Sequence, residues 1–345
     1  MNQGDDLTKQ TGKAMMLNPI YQSKLGRLYN ADSLEAMRTL ATASVDLVVT
    51  SPPYALHFKK EYGNADQKDY VKWFLPFAIE IKRILKPQGS FVLNIGGAWT
   101  PGAPVRSLYH YRLLLALCDE TGFHLAQEFF WFNPAKMPAP AEWVNVRRVR
   151  VKDSTEFIFW LSPSMFPKAD NRRVLGEYSN DMKRLIKRGV ASAKRPSGHI
   201  IRDSFAEDKG GAIPGNVINA EQEEYTDMFR CGNNESNSAY IKQSKGQRRK
   251  IHPARFPAEL PKFFIEFLTE TGDLVLDPFA GSNTTGAVAE DLGRRWIAIE
   301  KNVEYANDSV LRFQAPEPLQ ATKRNASNQR GLFDQHDVKT KKAAR

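Results

Sequence analysis

Two separated segments of the sequence carry residues suited to chemistry on a bound ligand. The first is Thr50-Ser51-Pro52-Pro53-Tyr54, which follows the apolar run of residues 45–49. The Ser51 hydroxyl and the Pro52 carbonyl can accept hydrogen bonds from an amino group, and the two prolines supply no N–H and stiffen the turn. The Tyr54 ring can stack on a planar ligand. On its own, such a segment is more often a turn that ends a strand.

The second segment, Leu274 to Glu300, has the pattern strand, glycine-containing loop, helix and strand, with an acid at its end. Ligands of open parallel sheets bind at the carboxyl ends of the strands, where Glu300 can bind the two hydroxyls of a ribose. The loop that begins at Asp277 lacks the GxGxxG pattern of pyrophosphate binding. A ligand with a ribose, no phosphate and a positive charge suits these acids better, and S-adenosylmethionine is such a ligand.

Together the two segments indicate methyl transfer to the exocyclic amine of a nucleobase. Such a nitrogen is a poor nucleophile because its lone pair is delocalised into the ring. Hydrogen-bond acceptors that draw the amine toward tetrahedral geometry would assist the reaction. A base inside duplex DNA is out of reach, so it must be flipped into the pocket.

Composition agrees with a nucleic-acid substrate. The 345 residues carry a formal net charge of +10, which favours a polyanionic partner, although a solvated basic surface has the same composition. The two cysteines, Cys118 and Cys231, lack the spacing of a metal site and imply no disulfide framework, which favours a reducing compartment. No segment approaches the ~20 apolar residues of a membrane span, and no signal peptide is evident.

Apolar periodicity predicts an α/β arrangement of strands and helices. Strands are predicted at residues 26–32, 45–49, 90–95, 128–132, 156–161, 273–277 and 295–300. Helices are predicted at residues 33–40, 69–85, 108–121, 261–269, 283–292 and 303–313. The β-branched run at 45–49 is typical of a central parallel strand, and the strands at 128–132 and 156–161 can pair at one side of the sheet.

Residues 162–250 break this pattern and are strongly basic. Between residues 168 and 202 there are ten Lys or Arg against three acids. We interpret the region as an insert that contacts the DNA backbone, and the alternative is a charged surface excursion or a disordered loop. The candidate contacts are Lys183, Arg184, Lys187, Arg188, Lys194 and Arg195.

Four motifs, in their order, resemble those of the amino-methyltransferases of bacterial DNA modification systems. Residues 47–54 resemble the catalytic motif of that family, and residues 277–286 resemble its cofactor loop. Residues 252–257, His-Pro-Ala-Arg-Phe-Pro, are similar to the segment that flanks the cofactor, and residues 86–93 resemble the turn after the catalytic motif. The catalytic motif precedes the cofactor loop, as in the permuted β-class subgroup.

The resemblance implies a Rossmann-like α/β fold dependent on S-adenosylmethionine, with a seven-stranded, mostly parallel sheet in circularly permuted order and an inserted target-recognition region. It implies that the target base is held by Ser51, Pro52, Pro53 and Tyr54. The implied cofactor contacts are Asp32, near the adenine, and Pro253, Phe256, Asp277, Phe279, Gly281, Ser282 and Glu300, the last on the ribose hydroxyls. Double-stranded DNA is the implied partner, in a bacterial or archaeal cytoplasm, together with a cognate restriction endonuclease that forms no stable complex.

Composition and the extent of the resemblance together divide the chain into five expected segments. They are a flexible arm at 1–25, a catalytic half at 26–161, the target-recognition insert at 162–250, a cofactor-binding half at 251–314 and a basic disordered tail at 315–345.

Two departures from the family pattern concern the target and the loop. Adenine-modifying members usually carry Asp or Asn where this chain has Ser51, so serine and the lysine-free segment at 252–257 point to the N4 amine of cytosine. Adenine N6 stays open, because the rule has exceptions. Asn283 stands where a glycine is common, and we expect little loss, because asparagine can adopt the left-handed conformation.

Three other functions fit the residues less well. Methylation of a cytosine ring carbon needs a cysteine nucleophile, typically after proline, and neither cysteine of this chain follows a proline. RNA and protein-glutamine methyltransferases usually begin the motif with Asn and lack the late cofactor loop. A catalytically silent DNA-binding protein would not need Ser51, Tyr54, Asp277 and Glu300 to be intact.

Overall fold

The apolar runs of the sequence form the strands of one large mixed sheet, and two small two-stranded sheets lie beside them in the chain. The computed structural model describes residues 18–55, 65–133, 136–189, 193–194, 200–201, 206–219 and 257–314. Within them the strands are β1 (Tyr21–Gln22), β2 (Gly26–Asn30), β3 (Val45–Thr50), β4 (Leu85–Ile95), β5 (Ala98–Trp99), β6 (Arg106–Ser107), β7 (His124–Phe132), β8 (Thr155–Ser162), β9 (Ala193–Lys194), β10 (Ile200–Ile201), β11 (Val217–Asn219), β12 (Leu274–Asp277) and β13 (Arg295–Glu300).

Helices connect these strands and cover the large sheet. They are α1 (Ser33–Arg38), α2 (Tyr70–Ile84), α3 (Tyr109–Asp119), α4 (Asn180–Arg188), α5 (Glu259–Leu268), α6 (Thr284–Asp291), α7 (Val303–Ser309) and α8 (Leu311–Gln314), with single turns at Glu142–Val146 and Asn171–Val174. None of the helices in the described ranges is long and apolar enough to cross a membrane.

The large sheet has the order β1-β2-β13-β12-β3-β4-β8-β7-β11. Strands β2, β13, β12, β3 and β4 are parallel, whereas β8 runs antiparallel to both of its neighbours. The seven longer strands form the predicted sheet, and the short β1 and β11 extend its two edges. Strands β12 and β13 come from the end of the chain and lie between β2 and β3 from its beginning, as the permuted order predicts.

Strand β3 shows how the core is divided between the two faces of the sheet. Successive side chains of a strand point to opposite faces. Val48 packs in one cluster with the buried faces of α1, α2 and α3, whereas Leu47 and Val49 pack in a second cluster with α5 and α6. The sheet is therefore buried on both sides, which explains why every residue of β3 is buried.

One acidic residue interrupts the apolar run of β3 and fixes its neighbours. Asp46 is 8% exposed, its Oδ2 accepts a hydrogen bond from the Leu274 N–H at 2.9 Å, and its Oδ1 pairs with Lys86 Nζ at 2.7 Å. A buried carboxylate needs such partners. The Asp46 side chain thus fixes the start of β12 beside β3, and so helps to set which residues meet at the other end of these strands.

The structure differs from the sequence prediction mainly at element ends. Strand β4 begins at Leu85 rather than Ser90, because Val45 already pairs with Leu85 before a register shift in the two strands. Strand β11 lies inside the predicted insert, yet it pairs in parallel with β7 in the main sheet. The predicted tail at 315–345 and most of the predicted arm at 1–25 lie outside the described residues.

Candidate active site

The carboxyl ends of three neighbouring strands bring the two predicted segments together. Strand β3 ends at Thr50, β12 at Asp277 and β13 at Glu300, and these strands are parallel neighbours. Thr50 Oγ1 donates a hydrogen bond of 2.6 Å to Asp277 Oδ1 across 227 positions of sequence. The segment with the hydrogen-bond acceptors and the acidic loop are therefore two parts of one site.

Asp277 is the buried centre of this junction. Its side chain is 1% exposed and accepts from Thr50, from Thr285 Oγ1 at 2.8 Å and from the Phe279 N–H at 3.1 Å. Burial raises the pKa of Asp277 to about 6, although these three donors oppose the shift. An enclosed carboxylate with these partners shapes the loop, so we expect Asp277 to act on a cofactor chiefly through the loop that it holds.

Glu300 is held at the opposite side of the same loop. Its Oε2 accepts from the Gly281 N–H at 2.7 Å, and its Oε1 accepts from the Asn302 N–H at 2.8 Å. Glu300 is 9% exposed, and this burial raises the pKa of its carboxyl group. An ionised carboxylate offers about four acceptor positions. Each oxygen therefore keeps capacity for a ribose hydroxyl after the two backbone contacts are made.

The loop between these acids depends on two residues in the left-handed conformation. Gly281 has φ 52° and Asn283 has φ 53°, as predicted for the asparagine. Asn283 Oδ1 caps α6 by accepting from the Gly286 N–H at 3.1 Å, which leaves Asn283 Nδ2 buried without a hydrogen-bond partner among the described residues. Ser282 is fixed through its carbonyl, which accepts from Arg312 Nε at 2.6 Å. A loop with an unpaired buried donor beside two acids suits a ligand that carries both acceptors and hydroxyls.

An aromatic cluster lies beside the loop. The Phe279 ring packs against Phe77, with centroids 5.1 Å apart, against Trp73 at 6.0 Å and against Phe74 at 6.4 Å. All three partners belong to α2. The packing gives the loop an apolar side, which agrees with the predicted place of Phe279 along a cofactor path.

The structure says less about the remaining predicted cofactor contacts, Asp32, Pro253 and Phe256. Asp32 caps α1 by accepting from the Leu34 N–H at 3.0 Å, and its other oxygen pairs with Lys301 Nζ at 3.0 Å. Asp32 lies two residues after the end of β2, which is the neighbour of β13 in the sheet. Pro253 and Phe256 lie outside the described residues. These three contacts stay predictions.

The segment after β3 is held by hydrogen bonds to its hydroxyls and carbonyls. Tyr70 Oη donates to the Pro53 carbonyl at 2.8 Å, whereas no group in the described part of the chain donates to the Pro52 carbonyl. Ser51 Oγ lies 3.1 Å from Tyr54 Oη and accepts from Asn94 Nδ2 at 3.3 Å. Ser51 and the Pro52 carbonyl thus keep acceptor capacity, as the predicted contact with an amine requires.

Three residues that sequence reasoning missed complete this side of the site. Tyr54 Oη donates to Glu156 Oε2 at 2.7 Å and accepts from Asn94 Nδ2 at 2.9 Å, and Lys136 Nζ lies 3.3 Å from Glu156 Oε1. Asn94 and Glu156 are 2% and 6% exposed. Asn94 and Glu156 are polar residues near the ends of two strands, but the sequence does not show that these strands bring both residues to Tyr54.

The predicted DNA contacts divide into paired and unpaired cations. Helix α4 carries four of them, all on exposed residues. Lys183 Nζ lies 3.1 Å from Glu177, and Arg184 Nη1 lies 3.3 Å from Asp181. Lys187 and Arg188 form no ion pair among the described residues and occupy the last turn. Lys194 belongs to β9, with its side chain outside the description, and Arg195 lies outside the described residues.

The raised pKa of Asp277 yields a testable pH dependence of stability. Its folded-state pKa of about 6 lies above the ordinary value of 3.8, so between these values the folded protein binds more protons than the unfolded chain. Stability therefore falls as the pH rises through this window, and the free-energy advantage of the native protein over Asp277→Asn should shrink by about 2 kcal/mol from pH 4.5 to 6.5. Urea unfolding followed by circular dichroism measures this difference.

Asp119→Asn, at the exposed end of α3, is the matched control and should show no such trend. An advantage that is constant, or that grows with pH, would contradict the assigned burial of Asp277.

Comparison with known proteins adds independent evidence. A family model described as DNA methylase matches residues 45–311. The type II methyltransferase M.PvuII of Proteus hauseri is 48% identical over 298 residues, which cover 86% of this chain and 85% of that protein. The type II methyltransferase M.BglII of Bacillus subtilis is 25% identical over 303 residues, covering 85% of this chain and 70% of that protein.

A solved structure shares the fold and much of the sequence. The structure of PvuII DNA methyltransferase, described as cytosine-N4-specific, matches with a TM-score of 0.69 and 42% identity, and covers 88% of this chain and 92% of that one. The family model spans most of the chain, and both segments of the site fall within it. The chain therefore belongs to the DNA methylase family.

Proposed function

We propose that this chain is a site-specific DNA methyltransferase that transfers the methyl group of S-adenosylmethionine to the N4 amine of a cytosine in double-stranded DNA. One observation carries the proposal: the Thr50–Asp277 hydrogen bond holds the acceptors of Ser51 and Pro52 beside the acidic loop and Glu300. Serine at the first motif position, and the printed cytosine-N4 specificity of the related PvuII enzyme, support the choice of target atom.

The residues present fit S-adenosylmethionine. Glu300 keeps acceptor capacity for the ribose hydroxyls, Phe279 gives the loop an apolar side, and Asn283 Nδ2 is a buried donor without a partner among the described residues. When bound, this cofactor supplies a methyl group activated by a positively charged sulfur. The buried carboxylates of Asp277 and Glu300 would favour that charge.

The target amine is held by acceptors rather than donors. In the proposed pose the two N–H groups of the amine donate to Ser51 Oγ and to the Pro52 carbonyl, while the Tyr54 ring contacts the base. These hydrogen bonds draw the amine out of conjugation and direct its lone pair at the methyl carbon. A carbon–nitrogen bond forms as the carbon–sulfur bond breaks, and the nitrogen then loses one proton. Flipping of the base delivers the amine to this pocket.

The biological setting follows from the substrate. We propose that methylation protects host DNA in a restriction–modification system, with a cognate endonuclease acting on the same site without a stable complex. The DNA that would be modified lies in the cytoplasm of a bacterium or archaeon.

Identification of the methylated nucleoside tests the target atom. DNA incubated with the protein and S-adenosylmethionine is digested to nucleosides and analysed by mass spectrometry. We expect N4-methylcytosine in an amount that depends on the protein. Methyladenine alone would show that the adenine alternative is the function, and 5-methylcytosine would exclude the assigned chemistry.

Ser51→Ala tests the acceptor role. Loss of one preorganised hydrogen bond to the reacting group should lower single-turnover methyl transfer on the order of 100-fold. The affinity for S-adenosylmethionine, measured by calorimetry, should change little, because Ser51 lies on the base side of the junction. Ser44→Ala, just before the opposite end of β3, is the matched control. Unchanged turnover in Ser51→Ala would refute the role.

The basic insert is proposed to bind the DNA backbone, and the structure refines which cations remain for this role. Lys168 pairs with Asp273 at 2.9 Å, and Arg173 donates to the Thr269 carbonyl at 2.8 Å, so both attach the start of the insert to the cofactor-binding half. Lys187 and Arg188, at the end of α4, form no ion pair within the described part of the chain, so they are better candidates for phosphate contacts than the paired cations are.

The salt dependence of DNA affinity tests this assignment. Each lost phosphate contact lowers the slope of log affinity against log salt by about 0.9. The double variant Lys187→Gln/Arg188→Gln should therefore lower the slope by about 2. The control Lys183→Gln/Arg184→Gln makes the same change of charge on the same helix. Because Lys183 and Arg184 are each paired with an acidic residue, this variant should lower the slope less. Fluorescence anisotropy with duplex DNA measures the slopes, and equal slopes in all three proteins would exclude α4 from the interface.

A further inference from the structure

A buried hydrogen-bond chain leads from Ser51 to an acid on the far side of Tyr54. Ser51 Oγ lies 3.1 Å from Tyr54 Oη, which donates to Glu156 Oε2 at 2.7 Å. We propose that Glu156 is a positioning residue for methyl transfer, which orients the Ser51 hydroxyl through Tyr54 and receives the proton that the amine loses. This inference rests on the proposed function and adds to it a residue outside both motifs.

The carboxylate sets the direction of every hydrogen bond in the chain. An ionised carboxylate only accepts, so the Tyr54 proton must point to Glu156. The Tyr54 oxygen can then only accept from its other neighbours, which are Asn94 Nδ2 at 2.9 Å and the Ser51 hydroxyl. The Ser51 proton is thereby directed away from the target pocket, and a lone pair of Ser51 Oγ is left for the amine.

Asn94 reinforces this orientation from the neighbouring strand. Its amide nitrogen donates to Ser51 Oγ at 3.3 Å as well as to Tyr54, so it occupies one lone pair of the serine and leaves another. Asn94 Oδ1 is buried without a donor among the described residues. The Asn94 amide therefore only donates hydrogen bonds to Ser51 and Tyr54. This fits a series of hydrogen bonds that all point toward the Glu156 carboxylate.

The Glu156 carboxyl group is buried and lies beside a cation. The residue is 6% exposed, and Lys136 Nζ lies 3.3 Å from its Oε1, the oxygen that Tyr54 does not contact. Burial beside Glu156 raises the pKa of Tyr54 well above its ordinary value, so the tyrosine remains a neutral hydroxyl that can pass a proton without becoming a phenolate.

The proton balance of the step is closed by this chain. As the methylated nitrogen loses a proton to Ser51 Oγ, the Ser51 proton moves to Tyr54 Oη and the Tyr54 proton moves to Glu156. Each hydroxyl gains and loses one proton, and the carboxylate becomes a neutral acid. The proton then leaves to solvent, which restores the chain for the next turnover.

Glu156→Gln and Tyr54→Phe test the proposal. Glutamine keeps the shape of Glu156 but can donate a hydrogen bond to Tyr54, so the hydrogen bonds can run in the reverse direction. Phenylalanine keeps the ring of Tyr54 and removes only the hydroxyl that joins Ser51 to Glu156. We expect single-turnover rates on the order of 100-fold lower for each variant, and a double variant no slower than the slower single one, because all act on one chain. Both single variants should lower the rate at saturating DNA and leave the DNA concentration that gives half the maximal rate little changed, because Glu156 and the Tyr54 hydroxyl act on the reacting amine and not on DNA binding.

The controls separate this inference from the proposed function and from simple misfolding. Glu80→Gln, which removes a carboxylate paired with Arg83 on α2, should keep the native rate. Calorimetric affinity for S-adenosylmethionine should be unchanged in all variants. A native protein that yields no N4-methylcytosine overturns the proposed function. If the native protein does yield N4-methylcytosine and Glu156→Gln is equally fast, only the role of Glu156 is overturned.

Discussion

The hydrogen bonds of Asp277 are the constraint on which the rest of this site depends. The carboxylate joins Thr50, which ends the strand before the proposed base-binding segment, to Thr285, at the start of the helix after the proposed cofactor loop. Asp277 is enclosed, so its desolvation is offset only if these donors remain in place. The position of the proposed amine acceptors relative to the cofactor loop is therefore fixed by a group that need not touch either ligand.

Much of this could be predicted from sequence because the information is local. The segment at 50–54 and the loop at 277–283 are each a continuous stretch of sequence, so their residue types indicate the local turn geometry. Asn283, a residue type that can adopt the left-handed conformation, is an example. The apolar runs predicted most of the strands, whereas the mostly parallel sheet and its permuted order were implied by the resemblance of the motifs. Element ends do not follow from local sequence, because β4 starts early through a register shift that only its pairing with β3 reveals.

Glu156 could not be found in this way, because its role arises from strand register. Strands β4 and β8 are antiparallel, with Asn94 opposite Ile158 and Ile95 opposite Phe157. Continuing this register places Glu156 opposite Gly96, where a Cβ would lie 2.5 Å from the Tyr54 ring. The absence of a side chain at Gly96 lets Tyr54 pack closely enough to reach Glu156. Charge counting over residues 168–202 was similarly incomplete, since Lys168 and Arg173 serve internal contacts.

The interleaved strand order has a consequence for biosynthesis. Strand β13 is the parallel partner of β2, and β12 is that of β3, yet both are made more than 220 residues later. Until the ribosome has released residue 300, β2 and β3 each present an unsatisfied edge to other chains. Such distant pairings are slow to form. The large sheet of the nascent protein must therefore lack its central strands through most of synthesis. It is completed only when β12 and β13 insert between β2 and β3.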